Sequence, residues 1–165
     1  MKRSAHGVTV VELMVTVAVG AILIGFAIPG MIGFVTQQGF TGAANDMVVA
    51  LNVARSEALR QRGIVTVQSI DASDTDDEWG QGWCVTSGDP GDCSTPLRVF
   101  EELGDVTLNG GLGFNAIDSI SFDSRGMMTL GAAGQFDLCH PTRGPGRRIT
   151  VSPIGRPSIA DLACP

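Results

Sequence analysis

The feature that most constrains this chain is an apolar run close to its start. From Leu13 to Val35 no residue is charged, and a single carboxylate, Glu12, stands at the edge of the run. As a helix rising about 1.5 Å per residue it would measure roughly 35 Å, enough to cross a bilayer with some tilt. Lys2 and Arg3 precede it and the next basic residue is Arg55, a bias that places the N-terminus in the cytoplasm and the rest outside. A secretory signal would show a short apolar core followed by a small-residue cleavage site. Here the run continues past the "AIPGM" stretch to Val35, so cleavage is expected before the run. A lone carboxylate in hydrocarbon costs at least about 2.5–3.5 kcal/mol, so Glu12 requires a partner.

Beyond the run, "FTGAANDMVVALNVARSEALRQRG" keeps helical spacing, with Phe40, Ala44, Met47, Val48, Leu51, Ala54, Ala58 and Leu59 on one stripe. Arg60 and Arg62 suit the negative end of the helix dipole, and Gly63 is the expected cap. One helix from Val8 to Arg62 is predicted, with Pro29 loosening it midway. After Gly63 the pattern turns to short β runs: 64–70, 83–86, 97–101, 106–108, 119–122, 127–130, 136–139 and 148–152. Turn clusters such as "SGDPGD", "NGG" and "SRG" separate them. The expected fold class is α+β: a long N-terminal helix, its first half transmembrane, packed through its second half on an antiparallel β-sheet domain. The predicted segments are 1–7, 8–35, 36–62 and 63–165.

Four cysteines, Cys84, Cys93, Cys139 and Cys164, all follow the apolar run. An even count beyond a membrane segment points to an oxidising compartment and two disulfides. Three pairings are open on paper. The expected one joins Cys84 to Cys93 across the turn-rich "CVTSGDPGDC" and leaves Cys139 with Cys164 to pin the C-terminus.

The leader "HGVTVVELMV" resembles the signal of type IV pilins and type II secretion pseudopilins. The resemblance implies that a prepilin peptidase cuts after Gly7 and that Val8 becomes the N-methylated first residue. It also implies a partner for Glu12: the N-terminal amine of a neighbouring pilin or pseudopilin subunit. Pro29 stands where the family commonly has a proline that lets the helix partly melt during assembly. "ALNVARSEALRQRG", "WGQGWCV", "ISFDSRGMMT" and "GRRITVSPIGR" are similar to one branch, the GspH/FimT-type minor pseudopilins and minor pilins. The implied protein is a pilin-like minor subunit, single-pass in inner-membrane lipid with a periplasmic domain, acting in filament assembly or at the tip. The system would be type II secretion or a type IV pilus, with no catalysis and no cofactor. Two other readings compete: a FimT-like minor pilin that binds DNA for uptake, and a membrane-tethered binding module that never polymerises, which would not need Glu12.

Other chemistry finds little support. His140 is the one histidine left after processing and has no recognisable nucleophile motif beside it. The cysteines lack the paired spacing of a zinc site, so no metal is expected there. "DASDTDDEW" gathers Asp71, Asp74, Asp76, Asp77 and Glu78 without the glycine of a calcium-binding EF-hand loop, and reads as a solvated acidic loop. "NGGLGF" follows no strand-to-helix pattern and reads as a turn. The net charge of −6 hides an asymmetry, because from Cys139 onward Arg143, Arg147, Arg148 and Arg156 face one acid, Asp161. Those arginines are the candidate DNA contacts. The pattern the resemblance calls for, Gly-Arg-x-Arg, lacks its second arginine in Gly155-Arg156-Pro157-Ser158.

Overall fold

The computed structural model describes residues 9–71, 73, 77–88, 93–141 and 144–164, with the backbone alone for 26–38. One helix, α1 (Val10–Gln61), is followed by eight strands: β1 (Val65–Ser69), β2 (Trp83–Ser87), β3 (Arg98–Phe100), β4 (Thr107–Gly110), β5 (Ser119–Phe122), β6 (Gly134–Cys139), β7 (Pro145–Val151) and β8 (Pro157–Ala163). The chain divides after Gln38 into two compact units.

In the first unit the helix begins at a capping motif. The Glu12 N–H donates to Thr9 Oγ1 (3.2 Å) and the Leu13 N–H to the Thr9 carbonyl (3.1 Å). Thr9-x-x-Glu12 thus has the spacing of a capping box, with a carboxylate in the first turn where the helix dipole favours it. The apolar side chains that follow are exposed, Leu23 and Ile24 to 64% and 60%. Among the described residues no helix is long and apolar enough to cross a membrane. The run expected to do so continues through residues whose side chains lie outside the described ones.

The second unit holds the core. Its part of α1 buries Phe40, Ala43, Ala44, Met47, Ala50, Leu51, Ala54 and Ala58, a narrow stripe at threes and fours. Leu59, expected on the stripe, is 49% exposed. The helix ends in a Schellman motif, with Arg62 in the left-handed conformation (φ 53°) and the Gly63 N–H donating to the Ala58 carbonyl (3.3 Å). The expected cap at Gly63 is thus one residue late.

Two antiparallel four-stranded sheets follow, ordered β3-β2-β1-β5 and β4-β6-β7-β8. Their inward residues, among them Val67, Trp83, Ile120, Leu108, Phe136 and Ile149, form one cluster with the helix stripe. Each large side chain fully buried there is worth about 1.5–3 kcal/mol relative to exposure.

The outward face of the first sheet is also shielded. Thr66 and Ser121, cross-strand neighbours, share a 2.8 Å hydroxyl contact, and Cys84 beside them is fully buried. Two expectations change. Met127–Leu130 forms no strand: after a turn at 123–126 only Met128 bridges to Phe122, because the Gly131 N–H turns back to the Met128 carbonyl (3.2 Å). Pro157–Ala163, not expected as a strand, pairs along its length with β7.

The glycine-rich "NGGLGF" is a packing device. Gly111 and Leu112 exchange backbone hydrogen bonds with Gln135 (2.8 and 3.0 Å), which swings the Phe114 ring into the core against Phe136, centroids 5.1 Å apart. A Cβ on Gly134 would strike the Phe114 ring, which is fully buried. Gly134→Ala should therefore destabilise the fold by about 1–3 kcal/mol, as overpacking of a filled core does. Denaturant titration should show a lower midpoint at unchanged slope, and an unshifted midpoint would contradict this packing.

Candidate functional site

Three groups of residues carry functional expectations. The first is the processing and assembly site. Gly7 and Val8 lie outside the described residues, and so does the side chain of Pro29. Glu12 is exposed on the first turn of α1, one turn below Thr16, whose hydroxyl donates to the Leu13 carbonyl (2.9 Å). The capping threonine at position 9 is legible in the sequence as Thr9-x-x-Glu12. It fixes the backbone at Glu12 and leaves the carboxylate at the outer surface of the helix end.

The second group is the cysteines. Cys84 is bonded to Cys93 and Cys139 to Cys164, each with Cα atoms 5.8 Å apart, and no cysteine is free. The first bond holds the β2–β3 connection against the outward face of the first sheet. The second ties the end of β8 to β6. His140 follows β6 directly, beside this bond.

The third group is the arginines, and the fold does not bring them together. Arg143 lies outside the described residues. Arg147 and Arg148 are adjacent on β7, so they face opposite sides of the sheet. Each meets a carboxylate of a neighbouring strand: Arg147 that of Asp161, and Arg148 that of Asp137 through two bonds of 2.6 and 2.7 Å. The hydrogen bond to Asp137 raises the Arg148 guanidinium further above its already high ordinary value. Arg156 sits beyond the far end of β7, in the turn to β8.

That turn meets two other arginines. A Cβ on Gly155 would lie 3.6 Å from the Gly126 carbonyl, and a Cβ on Gly126 would lie 3.2 Å from Arg55 Cγ. Arg55, Arg125 and Arg156 therefore share one end of the domain, beside the exposed Leu59 and Ile154. Arg125 is held by Asp123 (2.7 Å) and stays 79% exposed.

The last residues of the acidic stretch are part of the architecture. Asp77 Oδ1 accepts the Leu108 N–H (2.8 Å), Glu78 Oε2 accepts the Gly110 N–H (3.2 Å), and the Trp79 N–H donates to the Leu108 carbonyl (3.0 Å). Trp79 itself is fully buried, its Nε1 donating to the Ile117 carbonyl (3.1 Å). Asp77 and Glu78 thus cap the open edge of β4, unlike the solvated acids expected, whereas Asp71 is exposed. Asp74 and Asp76 lie outside the described residues, and among the described residues no group of three metal-ligating side chains occurs.

Asp123 gives this end of the domain a pH dependence. The Met127 N–H first, and Arg125 next, hold its carboxyl below the ordinary value. A depressed carboxylate supports the turn above its unfolded pKa and loses that support as pH falls through the lower folded value. The amide resonances of Arg125 and Met127 should titrate with a midpoint below about 3.9, the ordinary aspartate value. A midpoint at or above it would show that the turn is not held this way.

Residues 43–155 match the family described as type II transport protein GspH, and residues 2–28 match the prokaryotic N-terminal methylation motif. Two crystal structures of the type IV minor pilin FimU of Pseudomonas aeruginosa PAO1 share the fold. One is 26% identical, with a TM-score of 0.60, and the match covers 73% of this chain and 91% of that one. The other is 25% identical, with a TM-score of 0.64, over 77% and 92% of the two chains. No curated protein matches the chain.

Proposed function

The chain belongs to the GspH family of type II transport proteins and is a minor pseudopilin or pilin subunit of secretion or pilus assembly; on that premise we propose how it enters a filament. A prepilin peptidase removes residues 1–7, and Val8 becomes the methylated N-terminus. The apolar run Leu13–Val35 holds the subunit in the inner membrane, with residues from Gly39 onward in the periplasm. The role is structural, without a catalytic step. The observation that carries this reading is the presence on one chain of a methylation motif over residues 2–28 and a GspH domain over 43–155.

Glu12 supplies the assembly chemistry. An exposed carboxylate on the first turn has no reason to enter hydrocarbon alone, and the α-amine freed by cleavage of an adjacent subunit carries the opposite charge. Docking pairs the two and fixes the register of the incoming subunit. Gly7→Leu should leave full-length precursor in the membrane, seen as a slower band on a gel. Glu12→Val should be cleaved normally yet be absent from sheared filaments. Wild-type maturation of the first variant, or wild-type incorporation of the second, would refute this account.

A second reading, DNA binding for uptake, draws on the arginines gathered beside the β7–β8 turn. Arg55, Arg125 and Arg156 share that end of the domain, whereas Arg147 and Arg148 face opposite sides of a sheet and are paired. Phosphate contacts would dominate, making binding sequence-blind and salt-dependent by about 0.9 per contact in the log–log slope. With the full chain in detergent, Arg55→Gln with Arg156→Gln should flatten that slope, while Arg147→Gln with Arg148→Gln should leave it. The reverse ranking, or no binding at low salt, would remove DNA as a ligand.

A further inference from the structure

The outward face of the second sheet holds a cleft of about 550 Å³, within the range of roughly 300–1,000 Å³ typical of small-molecule sites. Its floor is one row across three strands: Asn109 on β4 faces Asp137 on β6, which faces Arg148 on β7. The Asp137 and Arg148 side chains are 28% and 37% exposed and bind each other through two hydrogen bonds. Their charges cancel, so the floor draws neither an anion nor a cation. It still offers hydrogen bonds of both kinds. The guanidinium retains N–H donors beyond the two it has used, and each carboxylate oxygen keeps a second acceptor site. Asn109 adds an amide whose Oδ1 is enclosed and accepts no hydrogen bond, a costly state that turning the amide toward a donor in the cleft would relieve. The wall is largely apolar, built from Leu162 on β8, Pro141 and the Cys139–Cys164 disulfide, and His140 also lines the cleft.

Donors and acceptors on a charge-balanced floor and a largely apolar wall define the complementary ligand. Its polar groups must both donate and accept, as hydroxyls do, and its opposite face must be C–H. A metal ion is a poor fit, because no three ligating side chains converge among the described residues. A free anion would meet the repulsion of the Asp137 carboxylate beside the guanidinium. We propose that this cleft binds an uncharged saccharide, one pyranose ring lying on Leu162 and the disulfide with its hydroxyls against Asn109, Asp137 and Arg148. This site is separate from filament assembly and stands whether or not that reading holds.

The test uses the full chain in amine-oxide micelles, which carry no sugar. Glucose, N-acetylglucosamine and its β-1,4 dimer are titrated by calorimetry and by saturation-transfer NMR, with inorganic phosphate and glucuronate as charged controls. Saturable binding of a neutral sugar, with a Kd on the order of 1 mM, is expected. Asn109→Ala should weaken it about tenfold, the effect of one lost hydrogen bond in a polar site. Leu162→Trp, on an edge strand where the larger ring fills the cleft without touching the core, should abolish it. Preserved circular dichroism and both disulfides certify each variant. The proposal fails if no neutral sugar saturates, if phosphate or glucuronate binds more tightly, or if both folded variants bind like the wild type.

Discussion

Burial of the second half of α1 in one core with the inward residues of the two sheets is the constraint on which the second unit depends. Ala43, Ala44, Ala50, Ala54 and Ala58 are buried along one side of the helix, with Phe40, Met47 and Leu51 as its large buried anchors. These helix residues and the inward residues of both sheets form one core. A larger residue at Ala50 or Ala54 would have no outlet, since both are fully buried. The core is also filled by glycine: the Phe114 ring lies where a Cβ of Gly134 would be, and Gly113 adopts a positive φ of 82° to turn that ring inward. Well-packed cores of this kind tolerate neither cavities nor added atoms.

Two sheets sharing a helix still need cross-ties, and these come from connections. The segment between β1 and β2 leaves the first sheet, lays Trp79 edge-on against Phe136 (centroids 5.1 Å apart) and caps β4 through Asp77 and Glu78. The Ser69 hydroxyl donates to the Glu78 carbonyl and anchors the same segment to β1. Each sheet also carries one disulfide, closing stretches with sequence separations of 9 and 25 residues. In the chain-entropy account each contributes about 3 kcal/mol, the longer loop slightly more.

Much of this was legible in the residues. Periodicity located the helix, and β5 was placed at its observed bounds, because Ser119–Phe122 lies between turn signals and has a buried side. What stayed hidden depended on partners. β8, "PSIADLA", is exposed at most positions and opens with proline, so it carries no alternating pattern. Its strand character comes from seven paired positions on β7. The role of Asp77 and Glu78 was hidden for the same reason, since a cap on a distant strand leaves no local trace. For the arginines the sequence does carry one constraint: a period of two assigns Arg147 and Arg148, neighbours on a strand, to opposite faces. Thr9, three residues before Glu12, spelled out a helix cap that the membrane reading overshadowed.

The region matched by the GspH family ends at residue 155, just before β8 (Pro157–Ala163) begins. An unprotected edge strand of this length would be open to pairing with other chains. Here the Arg147–Asp161 ion pair and the Cys139–Cys164 bond fasten it to β7 and β6, and Pro157 removes one donor from its start. The same strand supplies Leu162 and Ala163, and the Cys164 that follows it, to the cleft over Asp137 and Arg148. The cleft is therefore finished by a segment beyond the family match, on a sheet that already owes its inward face to the shared core. The inward face can be fixed by folding while the outward face, with its balanced ion pair and largely apolar wall, changes without disturbing the shared core. In a subunit of this family, that outward face is where a specific binding property can be added at least cost to the fold.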